Sequence, residues 1–415
     1  MAKSSGDRLR AARLLIRVED GAFASRLLER DASPGVRVRV LGVLRWQRAL
    51  DEALAPFLKR PLDRLDPEVR VALRMGCFEV RHLGVPGPVA TDEMIHLTRR
   101  LGKSSATGMV NAVLRRVVAT EPAISPPDLR WSHPEWVWRR WEERFGAEPA
   151  EAAMAAAQEP ASPWVWFVDD RSKADAEEAG VVLQPHVWCP EAWTATVGRP
   201  ELMARIRRGV AVVQDPSSQM VARIAVSLAD GTGRAADLCA APGGKTALMR
   251  RLGRWSVLVA GDRSPAKTAR LHRRLGGIPM VTADAVRPAL ADGAWDIVLL
   301  DAPCSGTGTF RRHPELKWRL DPGALGEAAK HQRPMIDAAL GLLAPGGVLV
   351  YATCSVEPEE NEDHFENLPD GFDRAAMDDH LSEGTPWIET SADGVRILPH
   401  EHGDGFTMHA LRRRS

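Results

Sequence analysis

The sequence predicts a multidomain protein in which an all-α region is followed by a small α+β region and then by a doubly wound α/β domain. Apolar residues recur at helical spacing in the first region, and short apolar runs flank one helical segment in the second. In the third, apolar runs alternate with helix-compatible segments. A chain of 415 residues is long enough for two or three separate cores. We expect domains at 1–130, 131–215 and 216–415.

The first region combines helical periodicity with an excess of positive charge. Leu9, Ala12 and Ile16 begin a pattern that continues to about residue 120. Residues 1–120 carry 22 Lys and Arg against 13 Asp and Glu, although the whole chain has a formal net charge of zero. Such an imbalance is typical of a surface that binds a nucleic-acid backbone. An ordinary solvated helical surface explains it equally well.

The third region contains two cysteines at predicted strand ends. Cys304 follows the apolar run 297–300, and Cys354 follows the run 348–351. Ligands and chemistry in open α/β sheets lie beyond the carboxyl ends of the strands. Because a thiol is an effective nucleophile near neutral pH, the two cysteines are candidates for covalent catalysis. Two buried structural cysteines and a redox dithiol are the alternatives.

A glycine-containing turn closes the first strand of the third region. The segment 237–246 includes Gly243 and Gly244, which let the backbone approach a ligand ahead of a helix N-terminus. Its Gly-Gly-Lys-Thr ending fits the end of a nucleotide-binding P-loop, but the earlier glycine of that motif is missing. Asp262 and Asp284 follow the next two strands, as expected of carboxylates that bind a ribose and an adenine. The order of these features predicts a nucleoside cofactor, and S-adenosylmethionine fits it.

Several protein classes are disfavoured by composition. Five irregularly spaced cysteines do not form a disulfide framework, and no Cys or Cys/His spacing suggests a metal. The polar N-terminus and the absence of a long apolar stretch argue against export or membrane insertion. We expect a cytoplasmic monomer that uses no metal ion.

Taken together, the motifs resemble those of the RsmB-type RNA (cytosine-5)-methyltransferases. The matching segments are 214–219, which spans the boundary between the second and third regions, and 237–246, 301–308, 311–318, 351–362 and 404–406 in the third region. In the first region, 41–45 and 109–116 are similar to the NusB-like RNA-binding domain of that family. The resemblance implies an all-α NusB-like domain, a Rossmann-like methyltransferase domain, and the methylation of a cytosine in small-subunit ribosomal RNA.

The resemblance also implies roles for individual residues. Cys354 is expected to attack carbon 6 of the cytosine, Cys304 to assist breakdown of the adduct, and Asp301 to hold the base. The exchange of roles between the cysteines stays open, because DNA cytosine methyltransferases use the cysteine of a Pro-Cys pair. The residues expected to bind S-adenosylmethionine are Cys239, Ala240, Ala241, Pro242, Gly243, Gly244, Lys245, Asp262, Asp284 and Asp301.

Two further expectations concern positive charge near the cysteines. Lys245 either lowers the pKa of a catalytic thiol or makes a phosphate or surface contact. The residues expected to form a basic rim for the RNA backbone are Arg311, Arg312, His313 and Lys317. The target base must be unstacked to admit attack on carbon 6, which favours a loop or junction nucleotide.

Overall fold

The computed structural model of the chain describes residues 2–29, 33–120, 126–377, 388–391 and 394–415, with side chains from residue 6 onward. The described chain forms two compact units, one comprising 1–159 with 310–319 and the other 160–309 with 320–415. Most of the acidic stretch 355–405 is described, but 378–387 and 392–393 lie outside these ranges.

The first unit is helical, as the apolar periodicity predicts. Its described helices are α1 (Ala2–Glu19), α2 (Ala24–Leu28), α3 (Pro34–Leu54), α4 (Pro67–Leu83), α5 (Gly87–Arg100), α6 (Thr107–Ala119), α7 (Pro127–Arg130), α8 (Glu135–Phe145) and α9 (Ala147–Ala156). Helix α4 shows how the sequence sets their limits: proline occupies its first position, and Gly84 ends it with a φ of 64°. Residues from α1 to α6 share one apolar core.

A buried ionic cluster joins three of these helices. The Glu79 carboxylate of α4 has no exposed side-chain surface, and it accepts hydrogen bonds from Arg8 of α1 and Arg39 of α3. The distances to Oε2 and Oε1 are 2.9 Å and 2.6 Å. Loss of either arginine would leave a buried charge with fewer donors, so the cluster fixes the mutual placement of the three helices.

The boundaries of the units differ from the predicted domains. Residues 131–159, assigned from sequence to the middle region, lie in the helical unit as α8 and α9. The remainder of the middle region belongs to the second unit. Its elements are β1 (Val165–Phe167), α10 (Asp170–Glu178), β2 (Val182–Pro185), β3 (Trp193–Val197), α11 (Arg199–Arg208) and β4 (Ala211–Val213). The four strands form an antiparallel sheet in the order β2-β3-β1-β4.

The main sheet of the second unit is mixed. Its described elements, with the intervening helices, are α12 (Pro216–Leu228), β5 (Arg234–Asp237), α13 (Gly244–Leu252), β6 (Val257–Gly261), α14 (Pro265–Leu275), β7 (Met280–Val281), β8 (Trp295–Asp301), α15 (Pro322–Gly341), β9 (Leu343–Thr353), β10 (Phe372–Arg374), β11 (Ile388–Ser391), β12 (Gly394–Ile397) and β13 (Phe406–Arg413). The order is β11-β12-β13-β9-β8-β5-β6-β7, with β10 on β13. Strands β5 to β9 pair in parallel, and β13 is antiparallel to β9. The strand order reverses between β5 and β8, which is where a doubly wound sheet opens a ligand crevice.

Both faces of the parallel strands are covered by apolar residues. In β8, Ile297 and Leu299 belong to the core on one face, whereas Val298 and Leu300 belong to the core on the other. Helices α12, α13 and α14 cover the first face, and α15 covers the second. This arrangement explains why the strands read as continuous apolar runs rather than as alternating patterns.

Candidate active site

The two cysteines predicted at strand ends lie side by side. Strand β8 ends at Asp301 and the neighbouring parallel strand β9 ends at Thr353, so the loops that follow start at the same edge of the sheet. The Sγ atoms of Cys304 and Cys354 are 3.2 Å apart. Both residues are free cysteines of intermediate exposure. The pair therefore combines close contact with access from outside.

The surroundings of Cys304 disfavour its thiolate form. The hydrogen bond to Cys354 and burial together raise the pKa of the Cys304 thiol well above its usual value. The two thiols share one S–H···S hydrogen bond, in which either sulfur can be the donor. A sulfur that accepts such a bond is better stabilised as a thiolate.

A close approach of three backbone segments shapes the loop that carries Cys304. The amide of Gly308 donates to the carbonyl of Cys354 at 3.0 Å, and the carbonyl of Gly308 accepts from the amide of Gly405 at 2.8 Å. A Cβ at Gly308 would lie 2.3 Å from the Gly405 carbonyl oxygen. Only glycine fits there without a shift of the backbone, so the two cysteine loops and the 404–406 segment form one packed group.

The predicted cofactor turn lines a cavity at the strand reversal. It connects β5 to α13 and contains Gly243 at a φ of 99°. The residues that line the cavity are Val213, Gln214, Ser218, Asp237, Cys239, Ala240, Ala241, Pro242, Gly244, Lys245, Arg274 and Asp301. Sequence reasoning did not assign site roles to Gln214, Ser218 and Arg274, because they come from segments outside the turn.

Asp237 gives the cavity a buried carboxyl group. The hydroxyl of Thr246 donates to its Oδ2 at 2.6 Å, while its buried Oδ1 has no hydrogen-bond partner among the described residues. Burial raises the pKa of Asp237 to about 7. An unpartnered acceptor beside the cavity fits a ligand that brings hydrogen-bond donors or positive charge, as S-adenosylmethionine does.

Lys245 makes an ion pair within the site. Its Nζ lies 2.7 Å from Oδ2 of Asp301 and 5.1 Å from the centre of the Phe406 ring. The Lys245 side chain is only 11 % exposed. The surface-contact alternative therefore does not apply, and the ammonium is bound to the carboxylate that the resemblance assigns to the base.

Asp262 and Asp284 follow β6 and β7 at the same edge of the sheet, as predicted, but they do not line the cavity. Each carboxylate accepts a hydrogen bond from its own loop: Asp262 from the Ser264 amide at 2.9 Å, and Asp284 from the Val286 amide at 3.0 Å. Their roles toward a ribose and an adenine stay predictions.

The basic residues after the Cys304 loop require a correction. Lys317 is 1 % exposed, and its Nζ donates to the carbonyls of Arg45 and Ser132 at 2.8 Å and 2.7 Å within the helical unit. Arg311 is also buried, and its carbonyl accepts from Arg45 at 2.7 Å. These two residues do not form the exposed rim that the sequence predicts, because 310–319 packs among the helices.

Arg312 and His313 are half-exposed, so a contact with RNA stays a prediction for them. Across the described residues, no group of three or more His, Cys, Asp or Glu is arranged to hold a metal ion. No described helix is long and apolar enough to cross a membrane.

Comparison with known proteins agrees with this architecture. Residues 227–412 match the family model for 16S rRNA methyltransferase RsmB/F, and residues 6–119 match the NusB family. Ribosomal RNA small subunit methyltransferase B of Salmonella paratyphi B is 32 % identical over 384 residues, covering 88 % of this chain and 87 % of that protein. The counterpart in Salmonella typhi is 31 % identical with the same coverage.

Solved structures show the same fold. The crystal structure of PH0851 has a TM-score of 0.76 at 21 % identity and covers 98 % of both chains. That of NSun6 from Pyrococcus horikoshii with SFG has a TM-score of 0.57 at 21 % identity, covering 68 % of this chain and 98 % of that one. The match to the family model and the sequence identity to the Salmonella proteins show family membership in addition to the fold. The chain belongs to the RsmB/F family of S-adenosylmethionine-dependent 16S rRNA methyltransferases and carries an N-terminal NusB domain.

Proposed function

We propose that this protein transfers a methyl group to carbon 5 of a cytosine in small-subunit ribosomal RNA through a covalent bond between Cys354 and carbon 6. The observation that carries the proposal is the contact between two free thiols at the ends of β8 and β9, next to the turn that follows β5. One thiol suffices for attack. A second at 3.2 Å is expected where the adduct must also be broken down.

Carbon 5 of cytosine is too weak a nucleophile to take a methyl group directly. Addition of the Cys354 thiolate to carbon 6 turns the ring into an enamine with nucleophilic character at carbon 5. S-adenosylmethionine, when bound, supplies an activated methyl group. Loss of the carbon 5 proton to a base then restores the ring double bond, and the Cys354 thiolate leaves with the electron pair of the carbon–sulfur bond.

The raised pKa of Cys304 supports the proposed division of roles. A thiol that keeps its proton is a poor nucleophile, but it can donate a hydrogen bond to the sulfur that leaves carbon 6. We therefore assign attack to Cys354 and assistance in adduct breakdown to Cys304.

Other residues are proposed to position the reactants. Asp301, the last residue of β8 directly before the Cys304 loop, would hold ring nitrogen 3 or the amino group of the flipped base. Lys245, bound to Asp301, would hold that carboxylate in place. The residues proposed to hold the cofactor are Cys239, Ala240, Ala241, Pro242, Gly243, Gly244, Lys245, Asp262 and Asp284. Burial raises the pKa of Cys239, which suits a lining role rather than a nucleophilic one.

Three proteins and one RNA substrate test the proposal. Wild type is expected to form 5-methylcytosine in small-subunit rRNA from a strain lacking the enzyme, whereas Cys354→Ala is expected to form none. Cys304→Ala is expected to accumulate an RNA–protein band that survives denaturing electrophoresis. Full methyl transfer by Cys354→Ala would overturn the mechanism, and a band from Cys354→Ala in place of Cys304→Ala would show that the roles are exchanged.

A further inference from the structure

Two adjacent residues behind the cysteine pair are fully buried although both are polar. Glu360 and Asn361 follow β9 and are 0 % exposed. Burying a carboxylate and a carboxamide costs stability unless their hydrogen bonds are satisfied, so the partners of these groups show what they hold.

The Glu360 carboxylate holds the loop on both sides of Cys304. Its Oε2 accepts from the Ser305 amide at 2.8 Å and from Nε2 of Gln332 at 2.9 Å, and its Oε1 accepts from the Ser305 hydroxyl. The same Gln332 nitrogen also donates to the Pro303 carbonyl at 2.9 Å. The peptide groups before and after Cys304 are thus bound to one carboxylate–carboxamide pair.

The Asn361 carboxamide does the same for Cys354. Its Oδ1 accepts from the Thr353 hydroxyl at 2.8 Å, and its Nδ2 donates to the Ser355 carbonyl at 3.3 Å and to the Glu357 carbonyl at 2.7 Å. Thr353 and Ser355 are the two neighbours of Cys354 in the chain. Each side chain of the dipeptide therefore holds the residues that flank one cysteine.

We propose that Glu360 and Asn361 are positioning residues, Glu360 for Cys304 and Asn361 for Cys354, and that together they keep the two sulfurs at hydrogen-bond distance. This inference rests on the proposed function, because it assigns the residues to separate steps of the cysteine chemistry. Glu360 serves adduct breakdown, and Asn361 serves adduct formation.

The charge of Glu360 adds an electrostatic effect to its geometric one. The hydrogen bond to Cys354 and burial are the two largest causes of the raised pKa of Cys304, and the negative charge of Glu360 is a smaller one. Removing that charge with little change of shape is expected to lower the pKa of the Cys304 thiol, so that at a given pH a smaller fraction of Cys304 keeps the proton needed for a hydrogen bond to Cys354.

The decisive comparison measures adduct formation and adduct breakdown separately in single-turnover reactions with RNA. Glu360→Gln is expected to lengthen the lifetime of the RNA–protein adduct roughly tenfold while formation stays near wild type, as expected for the loss of one strong hydrogen bond. Asn361→Ala is expected to slow formation by a similar factor. Glu366→Gln, the same chemical change at an exposed site, is the matched control.

A double variant separates positioning from general loss of structure. In a Cys304→Ala background, Glu360→Gln is expected to have no further effect on adduct lifetime, because the thiol that it positions is gone. An equal effect in both backgrounds would overturn the inference, as would equal slowing of both steps by Glu360→Gln. If Glu360→Gln does not fold, Ser305→Ala removes one of the same hydrogen bonds and is expected to change lifetime in the same direction.

An RNA-free measurement distinguishes failure of this inference from failure of the proposed function. The rate of iodoacetamide alkylation at Cys304, followed by peptide mass spectrometry, is expected to rise at lower pH in Glu360→Gln than in wild type. An unchanged profile would overturn the role of Glu360. If the alkylation profile shifts in Glu360→Gln but the Cys304→Ala variant forms neither adduct nor 5-methylcytosine, the role of Glu360 is upheld and the proposed function is overturned.

Discussion

Nζ of Lys245 lies 2.7 Å from Oδ2 of Asp301 and so joins the cofactor turn to the strand that leads to Cys304. The two side chains are 11 % and 28 % exposed, so neither charge is fully solvated. Because the pair links two parts of one site, its loss is expected to affect both folding stability and catalysis.

Lys245→Met is expected to lower the free energy of unfolding by about 1–3 kcal/mol, because it leaves the Asp301 carboxylate partly buried without its cation. Asp301→Asn is expected to offset part of that loss in the double variant. Urea unfolding of the four proteins in a double-mutant cycle measures the interaction. Strictly additive effects would show that the pair contributes nothing to stability.

Asp237 is expected to make the cofactor-free protein less stable as the pH rises. Its pKa is raised from 3.8 to about 7, so its stabilising contribution is complete below the lower value and is lost as pH rises through the higher one. At about 1.4 kcal/mol per pKa unit, the effect amounts to a few kcal/mol at most. Asp237→Asn keeps an acceptor for the Thr246 hydroxyl but removes the titrating carboxyl group. The melting temperature of this variant is therefore expected to depend less on pH between pH 5 and pH 8 than that of wild type. Parallel plots of melting temperature against pH for wild type and Asp237→Asn would refute the raised pKa of Asp237.

Gly308→Ala is expected to displace the Cys304 loop, since the new Cβ would lie 2.3 Å from the Gly405 carbonyl. Overpacking of this kind costs about 1–3 kcal/mol, and methyl transfer is expected to fall more than S-adenosylmethionine affinity. Gly326→Ala in α15, where a Cβ would meet nothing within 4 Å, is the control and is expected to be neutral or stabilising. Wild-type turnover by Gly308→Ala would contradict the packing argument.

Lys317 and Arg312 are expected to differ in their effects on RNA binding. Arg312→Ala is expected to weaken RNA binding. It is also expected to reduce the slope of the logarithm of the affinity against the logarithm of the salt concentration by about 1, as for loss of one phosphate contact. Lys317→Met is expected to leave that slope unchanged, because the Lys317 ammonium donates to main-chain carbonyls inside the helical unit. Filter binding at several salt concentrations measures both variants. A reduced slope for Lys317→Met would show that the buried ammonium reaches RNA.

Mild oxidation is expected to inactivate the enzyme reversibly. Because the sulfurs of Cys304 and Cys354 are 3.2 Å apart, diamide can accept two electrons and two protons from the pair as a disulfide forms. Dithiothreitol is expected to restore activity, and Cys304→Ser is expected to resist disulfide formation. Mass spectrometry should show the loss of two hydrogens in wild type alone. Continued turnover by fully oxidised wild type would exclude Cys354 as the nucleophile.

Short-range patterns in the sequence predicted the fold class and much of the candidate site. The helical periodicity from Leu9 onward corresponds to α1 to α6, and the apolar runs ending near Asp237, Asp301 and Tyr351 correspond to β5, β8 and β9. Their strand ends meet because parallel strands share one edge. The meeting of Cys304 and Cys354 thus follows from strand type and order.

Contacts between distant segments could not be predicted in this way. Gln214 and Ser218, from the segment 214–219, and Arg274 of α14 line the cavity beside the 237–246 turn, and no pattern within the turn assigns them there. Lys317 was misassigned for a related reason: a basic residue near a catalytic loop is normally solvated, and only the fold shows that it is surrounded by α3 and the segment after α7. The Glu360 and Asn361 partners likewise depend on loops that meet only in three dimensions.

The placement of residues 310–319 limits how this enzyme can be divided into fragments. That segment packs within the helical unit although it lies between β8 and α15 in the chain. A fragment ending at Glu159 would lack Trp318, whose indole nitrogen donates to the Leu44 carbonyl at 2.6 Å. A fragment starting at Pro160 would carry the same ten residues without the helices that bury them. No single cut can therefore yield two complete modules, and recombination of this domain with others would have to exchange two separated stretches of the gene together.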